Sequence, residues 1–421
     1  MRWQWIASLA AVALVCLGSV GCSTMLPAVR LDPSLGPPAP PPILDAFGDD
    51  APVANNQDWE TRRAPLLRAR FAEEVYGPYP NVRAAPRVVS RTAIAYAPLA
   101  DIADISQWQI EVQGAGDPLR FNMVVVLPKG ATGPVPIIIM ENFCGDRAAF
   151  RHPPETIAGP LTEVLWACEA EWTAPLVEGI FGRHISVPPY EQILSRGYGL
   201  AMFYAGDVVA DEPVAAREGL RQLYGDRDDV GAIAVWAWLY SVAFDMLQTD
   251  ARVDQHRVAI WGHSRNGKAA LLAGAMDPRF TAIIAHQSGR GGASLSSSLE
   301  GEPIAKMHEA FPHWFPPVFA NAPSSPAMDQ HQLLALIAPR PVLLGNGARD
   351  AWSDPHGAWQ AARAASPVYR LYGKPGLDQP EMTTPNYAAG IAYYTRPGLH
   401  GVTTRDWNVF LDFLDANLGA R

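Results

Sequence analysis

Basic side chains are the minority in this 421-residue chain, 33 Lys and Arg against 42 Asp and Glu for a net charge of -9. Such a surface would repel a phosphate backbone instead of releasing counterions from it, so nucleic acid is not an expected partner. Cysteine is scarce, with four residues, and no Cys/His array has the spacing of a zinc site. The nearest approach, His308-Glu309 followed by His313, sets its histidines five apart, so a helix would turn them away from one another. No repeat occurs at solenoid periods. The longest helical apolar stretch, DVGAIAVWAWLYSVAFDMLQ, contains Asp245 and runs directly into a strand, which favours a buried core helix over a membrane span. What remains is a globular composition, 48% hydrophobic and 18% charged, with ample material for a large core.

The amino-terminal residues read differently from the rest. Arg2, an apolar run from Trp5 to Val20 and then GCS have the layout of a secretory signal over residues 1–21. Cys22 resembles the lipid-modified cysteine of bacterial lipoproteins, although Ser19 stands where that signal usually has a leucine-like residue; the alternative is simple secretion with Cys22 removed or idle. The chain is therefore expected to be exported, either periplasmic, anchored at an outer membrane or cell surface through Cys22, or secreted. LPAVRLDPSLGPPAPPPILDAFGDDAP is too rich in proline to form a packed element, and residues 22–58 are expected to be an extended tether. The folded catalytic domain is then 59–421. Cys16 belongs to the signal, so Cys144 and Cys168 are left in the body, where an oxidising compartment would allow a bridge. Spacing alone does not show that they approach, and two buried thiols are the alternative.

Short β-branched runs then alternate with helical stretches. Strands are expected at 108–112, 122–128, 135–140, 199–204, 257–262, 281–287 and 340–346, and helices at 229–248, 265–276, 355–365 and 405–418. Strict alternation of this kind predicts an α/β protein whose central sheet is mostly parallel and flanked by helices on both faces. In such sheets the chemistry gathers at the carboxyl ends of the strands. The long segments 143–190, 288–335 and 373–399, rich in Trp, Tyr, Pro or Gly, are expected to build a substrate cleft there.

One strand-to-helix crossing, GHSRNGK at 262–268, has two readings. As a phosphate loop it lacks the Ser/Thr that would hold magnesium, because Ala269 stands there. As a nucleophile elbow at 262–267 it presents Ser264 at the tip of a sharp turn. The elbow reading makes a demand: a serine needs a histidine to take its proton and an acid to orient that histidine, in the order serine, acid, histidine. Asp350 and Asp354 follow the strand RPVLLGN, and His400 sits on a Gly-flanked loop before the last helix. Asp354 precedes Pro355 and could be the cap of the next helix, which makes Asp350 the preferred acid.

The second glycine of this elbow comes one place later than in G-x-S-x-G, and G-x-S-R-x-G-K resembles the signature of the glucuronoyl esterases. These are carbohydrate esterases of the α/β-hydrolase fold that cut the ester between lignin alcohols and the glucuronic acid side groups of xylan. GYGLAMFYAGD, DPRFTAIIAHQSGRGGASL, GEPIAKMHEAFPHWF, DAWSDPHG and GLHGVTTRDWNVFLDFL are also similar to bacterial members, so the resemblance runs from about residue 60 to the end. It implies Ser264 as nucleophile, His400 as base and Arg265 as stabiliser of the oxyanion. Lys268, Glu302 and Trp352 match positions that hold the sugar ring; their bland alternatives are a solvated lysine, a helix cap and a core tryptophan. Many members carry a glutamate after the strand that follows the elbow, and here Gln287 stands there. Others place the acid after the next strand, at the position of Asp350, so the triad is completed by that route. No metal or organic cofactor is implied. The expected partner is glucuronoxylan or a lignin-carbohydrate ester. An acetylxylan-type or general carboxylesterase, and an inactive glycan-binding relative, are the rival readings.

Overall fold

The computed structural model describes residues 28–162, 181–321 and 328–419. Nine strands form one sheet: β1 (Ala84–Ile94), β2 (Ala103–Gln113), β3 (Leu119–Pro128), β4 (Val135–Glu141), β5 (Gly199–Phe203), β6 (Val253–His263), β7 (Ala282–His286), β8 (Val342–Gly347) and β9 (Ile391–Arg396). Their order across the sheet is β1-β2-β3-β5-β4-β6-β7-β8-β9. The first three strands and the β3-β5 pair are antiparallel. From β5 to β9 every pairing is parallel. This is the mostly parallel α/β sheet that the alternation of elements predicts.

The parallel strands are apolar runs because both of their faces are covered. In β4 all seven residues of VPIIIME are buried. Alternate side chains enter opposite cores: Ile137 and Ile139 pack on one side with Ile260, and Ile138 and Met140 on the other with Ala259 and Trp261. Four helices cover the region of interest: α1 (Ala232–Leu247), α2 (Arg265–Met276), α3 (Pro355–Leu371) and α4 (Thr404–Leu418). The residues of α1 to α3 belong to the first core and those of α4 to the second. Helix α1 is buried along nearly its whole length, and Asp245 points out of it to Arg279 at 2.6 Å. Among the described residues no helix is long and apolar enough to cross a membrane.

Two strands and several helices lie outside the expected set. β1 is an exposed edge strand with only Ile94 buried, so it has no apolar alternation to detect. β9 is fully buried, but it falls inside the Gly- and Pro-rich segment 373–399, which was expected to help build the substrate cleft and not to supply a strand. α3 continues to Leu371 through Pro367, six residues past the expected end. Residues 56–76 form a run of α and π turns ahead of the sheet.

The tether expected over 22–58 needs correction from residue 28 onward. Although it has almost no regular structure, this segment lies on the domain and its backbone is satisfied there. Val29 N–H donates to Ala348 O at 2.6 Å, and His356 Nε2 lies 2.8 Å from Arg30 O. Gln360 Nε2 donates to Leu35 O at 3.0 Å, and the buried Arg63 donates to Ile43 O and Asp45 O, both at 2.8 Å. Proline lacks an N–H but keeps its carbonyl, so a proline-rich stretch can still dock wherever the body supplies donors. The expected signal segment, Cys16, Cys22 and Cys168 lie outside the described residues. Cys144 is disulfide-bonded, a bond that an oxidising compartment permits.

Candidate active site

The parallel strands end level with one another. His263 pairs with His286, His286 with Gly345, and Gly345 with Tyr394. Four chain reversals therefore open on one edge: Ser264 directly after β6, Gln287 directly after β7, Asp350 just beyond β8 and His400 just beyond β9.

Ser264 sits at φ 57° and ψ -127°, outside the usual regions for a residue with a Cβ. Such a conformation costs on the order of 1–3 kcal/mol and needs surroundings that enforce it. Here the Ser264 N–H donates to His286 O at 2.9 Å, and Ser264 O accepts from Gly267 N at 2.9 Å and Lys268 N at 3.2 Å, which starts α2. The reversal is so tight that a Cβ on Gly262 would lie 2.0 Å from Asn266 O and 2.8 Å from Gly267 N. Gly262→Ala is therefore expected to destabilise the fold by about 3 kcal/mol, read as a lowered urea midpoint with unchanged slope; a wild-type midpoint would contradict this geometry.

His400 Nδ1 lies 2.7 Å from Asp350 Oδ2. The same oxygen accepts from Gln287 Nε2 at 2.8 Å and from the Ser353 hydroxyl, while Oδ1 accepts from Ser353 N at 3.3 Å. Burial works to raise the Asp350 carboxyl, but the His400 charge and the hydrogen bonds from His400 and Ser353 outweigh it and hold the group below the ordinary value. The His400 ring lies 4.6 Å, centroid to centroid, from the ring of His263, the residue before Ser264. Serine, imidazole and carboxylate thus share one edge of the sheet. The hydrogen bond from Ser264 Oγ to His400 is not among those formed by the described residues, and catalytic hydrogen bonds commonly tighten only with substrate in place.

Asp354 takes the other role foreseen for it. At φ 51° it caps α3, accepting from Gly357 N at 2.8 Å, and burial pushes its carboxyl up to about 6.

Arg265 is anchored rather than free: its Nη2 lies 2.7 Å from Asp211 Oδ2 and its guanidinium 4.7 Å from the centre of the Phe143 ring. Asp211 also holds His313 Nε2 at 3.0 Å and accepts from Trp314 Nε1 at 2.7 Å. His313, half of the sequence fragment with the look of a metal motif, is thus part of an arginine-positioning network. No group of metal ligands occurs among the described residues.

Lys268 is buried, contrary to the solvated alternative, and its Nζ donates to Ser288 O and Arg290 O, both at 2.6 Å. Burial lowers the ammonium to about 8, with Glu302 opposing. Glu302 is half-buried, and its carboxyl is raised by burial against the pull of Lys268. Its N–H donates to Trp352 O at 3.1 Å, and the Trp352 side chain is exposed at 60%, so it is not core. Lys268, Glu302 and Trp352 therefore adjoin one another beside the elbow. Sequence reasoning missed Asp211 and Ser353. Asp211 stands in a loop without a motif, and Ser353 was visible only as a small residue between two aspartates.

A mostly parallel sheet with an elbow after β6 and a His-Asp pair after the following strands defines an α/β-hydrolase. Comparison with known proteins places it more closely. A model of fungal glucuronyl esterases matches residues 170–373. A carbohydrate esterase from an unknown prokaryotic organism is 32% identical over 384 residues, 88% of either chain. The 4-O-methyl-glucuronoyl methylesterase of Schizophyllum commune is 27% identical over 344 residues, 78% of this chain and 72% of that one. The solved glucuronoyl esterase from Solibacter usitatus superposes with a TM-score of 0.76 at 32% identity, covering 94% of this chain and 99% of the other. The chain belongs to the glucuronoyl esterase family and is a carboxylic ester hydrolase.

Proposed function

We propose that this esterase hydrolyses the ester between a 4-O-methyl-glucuronic acid side group of glucuronoxylan and a lignin-type alcohol. The observation that carries this reading is the convergence at one sheet edge of the elbow serine, the His400-Asp350 pair and the polar cluster Lys268, Glu302 and Trp352. The likeness to 4-O-methyl-glucuronoyl methylesterases supports it.

In this reading Ser264 Oγ attacks the C6 carbonyl of the uronate while His400 takes its proton and passes it to the departing alcohol. Water then attacks the acyl-serine ester with His400 again as base, which releases the uronic acid and restores the serine. The oxyanion of each tetrahedral intermediate is met by the Arg265 N–H and guanidinium, which Asp211 holds in place before charge develops. The sugar is on the acyl side, so the wall beside the elbow must recognise hydroxyls rather than a fatty tail. Lys268 has three donors, of which two are committed to the Ser288 and Arg290 carbonyls, leaving one for a ligand. Glu302 supplies an acceptor and Trp352 an apolar face.

The test is a paired assay of benzyl or methyl glucuronate and 4-nitrophenyl acetate. The expected result is a higher kcat/KM on the glucuronate ester. Strong acetate turnover without glucuronate cleavage would overturn the assignment in favour of a general or acetylxylan-type esterase, and hydrolysis of neither, with glucuronoxylan still bound, in favour of a glycan-binding relative.

A further inference from the structure

Gln287 occupies the place where many family members carry a glutamate, and its surroundings explain the amide. It is 2% exposed, at φ 50°, with its N–H on Gly345 O at 2.8 Å. Nε2 donates to Asp350 Oδ2 at 2.8 Å and to Leu399 O at 3.1 Å, and Oε1 accepts from Gly401 N at 2.8 Å. One side chain therefore ties Asp350 to the residues on both sides of His400.

We propose that Gln287 is a positioning residue for hydrolysis, fixing the His400 loop against Asp350, and that the position requires a neutral amide. The inference rests on the triad reading given above. The partners of Nε2 are both acceptors and the partner of Oε1 is a donor, and an amide offers two N–H groups and a carbonyl oxygen on one planar fork. An ionised glutamate would set a carboxylate against the Asp350 carboxylate and the Leu399 carbonyl. A leucine of similar size would leave Asp350 with one donor fewer and the Gly401 N–H without a partner. The charged and titratable groups around this node are Asp350 after β8, His400 and Arg396 from the β9 side, Asp406 of α4, His263 and His286 at the ends of β6 and β7, Arg265 of the elbow, and Glu302 across the site from His400.

The experiment compares wild type, Gln287→Leu and Gln287→Glu by steady-state hydrolysis of benzyl glucuronate across pH, by the rate at which a fluorophosphonate labels Ser264, and by thermal melting. For a folded Gln287→Leu protein, kcat and the labelling rate are expected to fall about 10- to 100-fold with KM within about twofold, because a mispositioned base costs turnover more than binding. For Gln287→Glu the acid limb of kcat/KM is expected to move up by about one pH unit, since a second carboxylate favours the imidazolium form of His400. A folded leucine variant within about twofold of wild-type kcat and labelling, or a glutamate variant with wild-type rate and an unmoved limb, would overturn the proposal. Should the leucine variant not fold, the glutamate profile decides. Wild-type protein that is labelled at Ser264 but leaves benzyl glucuronate intact would sink the substrate reading alone, and the labelling rates would still test Gln287.

Discussion

Asp350→Asn is expected to lower kcat on a glucuronate ester by about 10³- to 10⁴-fold while leaving KM nearly unchanged. The cause is the direction of one hydrogen bond. Asp350 Oδ2 receives His400 Nδ1 at 2.7 Å, which fixes the proton on that nitrogen and leaves Nε2 bare to take the serine proton. Gln287 Nε2 and the Ser353 hydroxyl already donate to the same oxygen, so an asparagine is pressed by donors on every side. If its Nδ2 faces the imidazole, the ring must take the other tautomer, with a proton on Nε2 and no capacity as a base. If its Oδ1 faces the imidazole, the tautomer survives but the negative charge that stabilises the imidazolium is gone, and Nδ2 meets the backbone N–H of Ser353 at the other oxygen's place. Both orientations leave Lys268 and Glu302, which are proposed to hold the sugar, untouched, hence the unchanged KM. Steady-state kinetics on a variant shown to be folded check this, and a loss smaller than about tenfold would remove Asp350 from the triad.

The parallel half of the sheet was legible because burial on two faces leaves only apolar runs such as VPIIIM and RVAIW. The elbow was legible because a tight reversal restricts its residue types: Gly262 has no room for a Cβ, and the serine follows within two places. Asp350 and His400 could be found from order and strand ends. What stayed hidden depends on distant partners. β1 shows no alternation because its faces are mostly exposed, and β9 is set in a segment of turn formers. The docked stretch 28–55 looked like a tether because its holding groups, such as His356, Gln360 and Arg63, belong to elements elsewhere in the chain. Gln287 read only as a departure from the glutamate of many members, since its partners lie in the backbone of residues 399 and 401, more than a hundred positions away. Asp211 carries no local signal and is recognisable only by the distant groups it meets, Arg265, His313 and Trp314; Asp406 shows as the last residue of the capping box T-T-R-D that opens α4, but its buried arginine partner does not.

Asp406→Asn is the change expected to destabilise the fold most, by about 3–5 kcal/mol at neutral pH, because it strands a buried cation. Arg396 and Asp406 are 3% and 0% exposed. Arg396 Nε lies 2.8 Å from Oδ1 and 2.7 Å from Oδ2, the Tyr394 hydroxyl donates to Oδ1 at 2.7 Å, and Thr403 N and Oγ1 donate to Oδ2 at 2.8 and 2.7 Å. His286 Nε2 stands 3.3 Å from Oδ1, off the line of a hydrogen bond. Burial works to raise the Asp406 carboxyl, and His286, Arg396 and Tyr394 overcome it, so the folded-state value is strongly depressed. A depressed carboxylate contributes stability that is complete above its unfolded value of 3.8 and is lost as pH falls from there toward the folded value. The variant should therefore show a lower urea midpoint at pH 7 and a weaker decline of stability below about pH 4 than wild type. The same arginine donates through Nη2 to Gly401 O at 2.6 Å and Leu399 O at 3.3 Å, the carbonyls on either side of His400. Loosening Arg396 thus releases the loop that carries the base, and folded variant should lose turnover as well as stability. A midpoint shift equivalent to less than about 1 kcal/mol would mean that Arg396 finds another partner or water, and that α4 does not hold the His400 loop through this ion pair.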